Sequence, residues 1–522
     1  MKEKIKNIIL ITLIVIFCMS ISPITMQNDT YYTIAIGEHI LENGIDMKDP
    51  FSWHEDLPYT YPHWAYDVAT FLVYSVGQTI SGEAGGYVAI YLTTALLSAI
   101  LGIVLFKVNK KISKNTIISF AITLLTIYSL RGYIAARAQL VTFILFVLEI
   151  YCIEMLLQEP KKRYILGLLI IPILIANLHL AVWWFYFVLY LPYIAEYILT
   201  KVSKCENRNV CNRIQVVANK NIKYLIIMMI ICLFTGFLTP LGTTPYTYLI
   251  KTILGSTTHN ISEHLPMTLM QHAEIVTALG VILAIFVCTK AKLKISDAFM
   301  LFGLMFLMFY SRRQQSIFLL VGCIILNKLL VETLENYKDG AVKTIEGILL
   351  SKFPLSIISL LVVVLSVYFI VQKEGDTFVN KLDYPVEASE WIIQNLDLNE
   401  IRLFNEYNYG SYLLYKGIPV FIDSRADLYA PEFNTPTGKT EDGRDIFMDF
   451  IDASNLNGFY EDTFEKYDIT HIILDKNSKM NLIISNTNDG KYNCLYEDKY
   501  FIVYKIEEQP IRTNLLESES AE

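Results

Sequence analysis

A carboxylate follows directly on the first apolar run of the chain. Residues 5–22 are almost entirely apolar, and Asp29 comes within a few residues of their end, just before Thr30 and Tyr31. At this position an aspartate would act either as the N-cap of the helix that the following residues predict or as a general base facing a cavity with little water. The sequence alone leaves both interpretations open.

Two pairs of arginines occur in short turns between later apolar runs. Arg131 and Arg137 lie in the turn SLRGYIAARAQ, which ends at Gln139, and Arg312 and Arg313 lie in FYSRRQQ. Arginine beside a bilayer is costly unless it reaches water, pairs with an acid or meets an anionic ligand. Because the planar guanidinium donates two hydrogen bonds at once to a phosphate, two such pairs favour an anion site over simple snorkelling.

Other titratable and aromatic side chains occur in the polar segments that we expect on the same side of the membrane. These candidate cavity residues are Tyr32, His63, Asp67, His179, Glu263 and His264. The spacing of His39, His54 and His63 matches no compact metal-binding motif. No cofactor is therefore indicated, and a divalent metal is left open.

The elements that must position these residues are apolar helices. The chain has 522 residues, of which 53% are hydrophobic, and a mean hydropathy of +0.40. A bilayer core needs about 20 apolar residues for each spanning helix, or a few fewer in a closely packed bundle. Such runs occur near residues 5–22, 86–106, 115–130, 139–157, 164–179, 181–199, 223–239, 273–289, 297–310, 316–331 and 354–371. We therefore predict a polytopic α-helical membrane protein with about 11 spanning helices over residues 1–371.

The formal net charge of −8 averages two unlike parts. Residues 373–522 carry a net charge of −15, whereas the first 372 residues carry +7. The basic residues cluster in alternate loops, which predicts a cytoplasmic N-terminus and an extracytoplasmic C-terminal part. The acidic C-terminal part makes nucleic acid an unsuitable partner, while the bilayer itself is an expected one.

The first outer loop, residues 23–85, contains a predicted helix. Residues 30–43 have helical periodicity with Ile34, Ile40 and Leu41 on the apolar side, and Asn43-Gly44 predicts the end of the helix. Further on, residues 63–80 are aromatic and contain an aspartate, so we expect them to lie along the membrane interface rather than to cross it.

Residues 372–522 are predicted to form a soluble α/β domain. Helix and strand signals alternate from 385 to 505, with IRLFNEY and PVFIDSR as two of the strands. Asp423 and Arg425 end the second of these strands, where an internal salt bridge is favoured over a binding site. A glycine-rich phosphate loop is missing from the sequence, which argues against nucleotide binding. The last residues, LLESESAE, are predicted to be disordered.

The order of these motifs resembles a known family. The first helix is followed by Asp29, by a loop of the type DTYY…GxxILxNG…DPFS…HW, and by an outer R-x-Q. This order is similar to the membrane glycosyltransferases of the GT-C fold class, including the protein O-mannosyltransferases and the aminoarabinose transferases. Arg137-Ala138-Gln139 resembles their R-P-Q, with alanine in place of proline. ISEH at 261–264 resembles a Glu-Trp pattern, with His264 in place of tryptophan.

This resemblance implies an activity and roles for the candidate residues. Such enzymes transfer a sugar from a polyprenyl-phosphate carrier to an acceptor on the outer face, and here the acceptor would be an unknown component of the cell envelope. Asp29 would deprotonate the acceptor, and Arg131, Arg137, Gln139, Arg312 and Arg313 would bind the carrier phosphate. Thr30 stands where related enzymes have a second acid, which disfavours a metal-dependent mechanism of the oligosaccharyltransferase type.

Two other classes of protein fit parts of the pattern. A lipid or envelope-precursor transporter would also be polytopic, but we find no paired repeats with Gly/Pro-broken helices, and the charged groups cluster at one membrane face. A non-catalytic scaffold would use the C-terminal domain to recruit envelope partners. Loss of activity on replacement of Asp29 separates the enzyme from both.

Overall fold

A computed structural model of the chain describes residues 3–202, 209–211, 214–255, 257–337, 340–435, 443–487 and 490–507. The predicted disordered end, residues 515–522, lies outside these ranges.

The N-terminal part is a bundle of helices that covers every predicted apolar run. Within the described residues its helices are Glu3–Ile21, Asn28–Asn43, Trp64–Ser113, Thr116–Ser129, Ala138–Gln158, Lys162–Leu178, Trp183–Val188, Leu191–Val202, Ile222–Cys232, Thr244–Leu254, Thr257–Asn260, Ala273–Cys288, Ile295–Tyr310, Gln315–Tyr337, Ala341–Leu349 and Lys352–Val371. Six helical segments are long and apolar enough to cross a membrane by length and composition. Several other runs form helices of 10–17 residues, so the number of spans stays a prediction.

Short 3-10 helices connect many of these helices. They are Arg131–Tyr133, Leu180–Val182, Leu233–Phe237, Leu269–Gln271 and Arg312–Gln314, and the C-terminal part adds Ala426–Tyr429. A small three-stranded sheet joins Asn209–Cys211, Ile214–Gln215 and Leu293–Lys294. Both arginine pairs therefore lie on or beside tight turns.

The long helix Trp64–Ser113 is two helices separated by a sharp break. Ser81 and Gly82 leave helical geometry, and Gly82 has φ +66°. The backbones of Gly77 and Gly85 approach so closely that a Cβ on Gly77 would lie 2.3 Å from the Gly85 carbonyl oxygen. The break separates the aromatic segment that we expect at the interface from the apolar run that follows it.

The helix Asn28–Asn43 of the first outer loop packs tightly against the start of that broken helix. A Cβ on Gly37 would lie 2.2 Å from the carbonyl oxygen of Asp67, so only glycine permits this approach. The predicted helix end is confirmed, since Gly44 has φ +79° and donates its N–H to Ile40 O. Ile34 and Ile40 are buried as predicted, but Leu41 is 51% exposed. Leu41 was wrongly assigned because it is one residue, or about 100°, round the helix from Ile40.

The C-terminal part contains a four-stranded mixed sheet flanked by helices. The strands are Leu403–Phe404, His471–Asp475, Phe501–Ile506 and Tyr492–Glu497 in spatial order, and only the first two are parallel. The helices are Val386–Asn395, Tyr407–Tyr415, Pro431–Asn434, Ile446–Asn455, Tyr460–Lys466 and Lys479–Ile484. The strand predicted over PVFIDSR is wrong. Val420 forms only a single bridge to Ser52, because its backbone hydrogen bonds go to Phe51 and Trp53 of the first outer loop.

The first outer loop and the C-terminal part share one hydrophobic core. Trp53 Nε1 donates to Leu403 O at 3.0 Å, and the ring of buried His54 lies 2.8 Å from Phe421 O. Tyr31 makes edge contacts with Tyr412 from the other side. The C-terminal part is therefore docked on the bundle through this loop.

Candidate active site

A cavity of about 680 Å³ opens where the helix Asn28–Asn43, the outer turns of the bundle and the C-terminal part meet. We call it the main cavity. Nine of the twelve predicted site residues line it, namely Asp29, Tyr32, His63, Arg137, Gln139, His179, Glu263, His264 and Arg313. With the first outer loop counted as one, these side chains come from five separate segments of the sequence.

Arg137 joins two carboxylates at the wall of the main cavity. Its Nε lies 2.9 Å from Asp29 Oδ2, and its Nη1 lies 3.4 Å from Glu263 Oε1. Burial disfavours the charged guanidinium, but the two carboxylates outweigh that effect and raise the pKa of Arg137. Asp29 is thereby held in place beside a permanent positive charge.

The position of Asp29 in its helix rules out the interpretation as an N-cap. Gln27 is the N-cap residue, and Asp29 lies within the first turn of the helix without capping it. A carboxylate in the first turn still interacts favourably with the helix dipole. Its side chain is free to pair across the cavity because no backbone N–H of the helix binds it in a cap.

Glu263 and His264 are positioned by pairing of their loop with the second arginine turn. The Arg313 N–H donates to Glu263 O at 2.9 Å, and the Arg312 N–H donates to Leu265 O at 3.0 Å. Arg313 Nη1 lies 3.4 Å from His264 Nε2. Burial and the charge of Arg313 lower the pKa of His264 to about 4. Although burial raises the pKa of Glu263, Arg137 and Arg313 together lower it. At neutral pH the glutamate is charged and the histidine is neutral.

Two further histidines, His63 and His179, line the main cavity. The rings of His63 and His179 are 5.0 Å apart, and His179 Nδ1 lies 2.8 Å from Thr142 Oγ1. Burial, Arg313 and Arg137 lower the pKa of His63 to about 3. Both groups are suited to neutral hydrogen bonding to a hydroxylated ligand.

One side of the main cavity is apolar. Its lining there consists of side chains from three helices and the turn before one of them, namely Val182, Phe185, Val188, Leu249, Ile253 and Leu307. Ile253, in the helix Thr244–Leu254, is 63% exposed. The charged groups and the apolar wall therefore belong to the same cavity.

Arg131 and Arg312 do not reach the main cavity. They line a second cavity of about 400 Å³, which shares Arg137, Gln139, Glu263 and Arg313 with the first. Arg131 is exposed, and its guanidinium lies 4.2 Å above the Tyr128 ring. Arg312 and Arg313 are neighbours in a 3-10 turn, where consecutive side chains point about 120° apart. All four predicted arginines and Gln139 thus line the second cavity, and Arg137, Gln139 and Arg313 also line the main cavity.

Asp67, predicted to line the same cavity as Asp29, is instead fully buried. Its backbone carbonyl lies against Gly37, in the close contact between the two helices. Asp67 is absent from the lining of both cavities.

The C-terminal part supplies a wall of the main cavity that the sequence did not predict. This wall comprises Tyr407, Asn408, Ser424, Arg425, Asp427 and Leu428. Asn28 Nδ2 donates to Tyr407 O at 3.0 Å, and the Tyr248 hydroxyl donates to Asp427 Oδ2 at 2.5 Å. No sequence motif marks these residues, because they reach the cavity only through the docking of the C-terminal part.

The predicted salt bridge between Asp423 and Arg425 is confirmed, and Asp49 also takes part in it. Arg425 Nη2 lies 2.7 Å from Asp423 Oδ2, and Arg425 Nη1 lies 2.6 Å from Asp49 Oδ1 in the first outer loop. All three side chains are buried. The group fixes the turn that carries Asp427 against the bundle.

The three histidines of the first outer loop do not converge. The His39 ring lies 3.3 Å from Asp46, His54 contacts the backbone of Phe421, and His63 faces the main cavity. Within the ranges that the structure describes, no three His, Cys, Asp or Glu side chains cluster as metal ligands would.

Comparison with known proteins shows the fold. No protein-family model matches the chain, and no curated protein matches its sequence. The structure is similar to that of the Archaeoglobus fulgidus oligosaccharyltransferase in the apo form, with a TM-score of 0.55 and 12% identity over 98% of this chain and 76% of that one. It is also similar to ArnT from Cupriavidus metallidurans bound to undecaprenyl phosphate, with a TM-score of 0.53 and 9% identity over 95% of this chain and 97% of that one. The chain is therefore a helical membrane protein with the fold of the GT-C membrane glycosyltransferases.

Proposed function

We propose that this protein is an inverting glycosyltransferase that moves a sugar from a polyprenyl-phosphate carrier to a cell-envelope acceptor on the outer face of the plasma membrane. The observation that carries the proposal is the meeting of Asp29, Arg137 and Arg313 in one cavity that also has an apolar wall. The fold supports it, since one structure of that fold is ArnT bound to undecaprenyl phosphate.

Arg313 is the best placed group for the carrier phosphate. Among the described residues it forms no salt bridge with a carboxylate, whereas Arg137 is already paired with two. Arg313 also lies at the boundary between the two cavities, close to Arg137. We assign Arg313 to the direct binding of the phosphate, and Arg137 to the stabilisation of the charge that develops as the sugar leaves.

Asp29 is assigned the role of general base. Its carboxylate would take the proton of an acceptor hydroxyl while that oxygen forms a bond to the anomeric carbon of the sugar. The bond between the anomeric carbon and the phosphate oxygen breaks in the same step, and the electron pair leaves with the polyprenyl phosphate. A single displacement of this kind inverts the anomeric configuration and needs no second carboxylate as nucleophile.

The remaining lining fits the rest of the two substrates. The apolar side chains of the cavity, such as Phe185 and Leu307, would contact the first isoprene units of the carrier. His63, His179 and Gln139 are uncharged donors and acceptors for sugar hydroxyls. The wall formed by the C-terminal part faces the side from which the acceptor would enter.

The orientation in the membrane is part of the proposal. The N-terminus is assigned to the cytoplasm because the basic clusters lie in alternate loops. In this orientation the main cavity opens on the outer side of the membrane, and the C-terminal part lies on the same side.

Transfer of a labelled sugar tests the proposal. Membranes that contain the protein are supplied with a radiolabelled polyprenyl-phosphate-linked sugar, and label in envelope polymers is counted. We expect Asp29→Asn to reduce transfer by about 100-fold or more, with normal expression and folding. The matched control is Glu38→Gln, an exposed carboxylate on the same helix, which we expect to be fully active.

Two outcomes would count against the enzyme. Unchanged transfer by Asp29→Asn would remove the role of this residue. If the wild type and both variants transfer no label from the carrier but export or recruit envelope components normally, the protein is a transporter or a scaffold instead.

A further inference from the structure

The second cavity differs in character from the main cavity. It is bounded by Gln27, by the 3-10 turn Arg131–Tyr133 and by the turn at Arg312. Among the residues that the structure describes, its lining contains no leucine, isoleucine, valine, methionine or phenylalanine, whereas the main cavity has several of these. A polyprenyl chain would therefore lie in the main cavity, and the second cavity would take a hydrophilic group.

The second cavity has an excess of positive charge. Arg131, Arg137, Arg312 and Arg313 line it, against only Glu263 and Glu274. Arg137 and Glu263 pair with each other. With Arg313 assigned to the carrier phosphate, an anion placed there would still meet the guanidinium groups of Arg131 and Arg312 and the carboxylate of Glu274.

Besides Arg137 Nε, which faces Asp29 Oδ2, three polar atoms of residues that line the second cavity are buried and lack a hydrogen-bond partner in the described structure. They are Arg312 Nε, His272 Nε2 and Gln27 Oε1. Leaving a buried donor unpaired costs about 1–3 kcal/mol. Arg312 Nε is a donor that a rotation of the guanidinium would turn towards an oxyanion in the cavity, and His272 Nε2 could donate in its Nε2–H form, whereas Gln27 Oε1 is an acceptor and would not contribute.

We propose that the second cavity is a binding site for a phosphate monoester on a hydrophilic group, separate from the site of the carrier phosphate. Arg312 and Arg131 are its dedicated cations, and Arg313 lies between the two sites. Because the cavities share the wall formed by Arg137 and Glu263, a phosphate bound there would lie beside the site of transfer. The inference rests on the proposed function only in assigning the carrier to the main cavity.

Binding of two probes to the purified full-length protein tests this inference. The probes are undecaprenyl phosphate, followed by native mass spectrometry, and glycerol phosphate, followed by isothermal titration calorimetry. Because Arg137 and Arg313 line both cavities and two nearby phosphates repel each other, we expect the protein saturated with undecaprenyl phosphate to bind glycerol phosphate still, with a Kd raised by no more than about tenfold. Arg312→Gln should raise the Kd for glycerol phosphate by about tenfold, which corresponds to the loss of one charge-assisted hydrogen bond. The affinity for undecaprenyl phosphate should be almost unchanged.

Two further variants guard against a general effect on folding. Arg312→Lys keeps the charge and should keep most of the affinity for glycerol phosphate. Arg163→Gln removes an exposed arginine and should change the affinity for neither ligand. Inorganic phosphate, titrated in parallel, identifies the source of the anion. Tighter binding of glycerol phosphate indicates the head group of an acceptor, whereas equal binding indicates free phosphate.

The inference is overturned if glycerol phosphate does not bind, if undecaprenyl phosphate displaces it, or if Arg312→Gln leaves its affinity unchanged. Failure of the proposed function gives a different result. In that case undecaprenyl phosphate itself does not bind, whatever glycerol phosphate does.

Discussion

Arg137 Nε lies 2.9 Å from Asp29 Oδ2, across a cavity wall that joins the first outer loop to the turn before the helix Ala138–Gln158. The two residues are more than a hundred positions apart in the chain. The same guanidinium also reaches Glu263. One arginine thus fixes the candidate base and ties three outer segments together.

The first prediction concerns this arginine. Arg137→Gln leaves Asp29 without its cationic partner, so we expect transfer to fall by about 100-fold. The free energy of unfolding should fall by about 1–3 kcal/mol, since the pair is only partly exposed. Sugar transfer and thermal unfolding of the purified protein measure the two effects. Arg137→Lys should recover stability better than activity, because lysine keeps the charge but lacks the planar fork. Equal recovery of both would contradict the assigned role.

The second prediction concerns the buried group of Asp49, Asp423 and Arg425. Arg425→Met leaves two buried carboxylates without a cation, which should cost about 3–5 kcal/mol. We expect a lower melting temperature and faster cleavage by protease at the junction of the C-terminal part. Arg402→Gln is the control, because Arg402 pairs with Asp468 at the surface and such pairs contribute less than about 1 kcal/mol. Similar behaviour of the two variants would show that the buried group does not hold the C-terminal part in place.

The third prediction is a pH dependence centred on His54. Burial lowers the pKa of His54 to about 4, from an ordinary value of 6.5. Below pH 6.5 the unfolded chain binds a proton that the folded protein does not, so stability is lost as the pH falls from 6.5 towards 4. Thermal unfolding at pH 7.5 and pH 5 should show a larger decrease for the wild type than for His54→Gln. An equal decrease in both proteins would assign the effect to other groups.

The fourth prediction concerns the contact between Tyr248 and Asp427. The Tyr248 hydroxyl donates to this carboxylate at 2.5 Å, and Thr257 Oγ1 lies 3.4 Å from it. Tyr248→Phe removes the shorter bond and should destabilise the docked turn by about 1–3 kcal/mol. Tyr91→Phe serves as a control, because Tyr91 is a half-buried tyrosine of the broken helix. An unchanged melting temperature in Tyr248→Phe would mean that the turn is held elsewhere.

The sequence was sufficient for those parts of the site that depend on local signals. The end of the first-loop helix at Gly44 follows from glycine chemistry, and Asp29 and Arg137 stand at recognisable ends of apolar runs. Glu263 and Arg313 are paired through their backbones, but each was already conspicuous as a charge beside a membrane segment. These positions needed no knowledge of long-range packing.

Two of the missed features depend on packing between distant segments. Asp67 is buried because Gly37 allows two helices to touch, which no single run of residues reveals. Asp427 reaches the main cavity because Val420 pairs with the first outer loop instead of with a strand of its own sheet. Arg313 but not its neighbour Arg312 also lines the main cavity, because consecutive side chains of the 3-10 turn point in different directions.

The most direct test of the central claim is a cryo-EM map of the full-length protein with undecaprenyl phosphate. The account predicts density for the phosphate in the main cavity, in contact with Arg313 and within reach of Arg137, with the lipid chain against Phe185 and Leu307. Density for the phosphate outside this cavity, or Arg137 and Arg313 turned away from it towards the bilayer, would contradict the account.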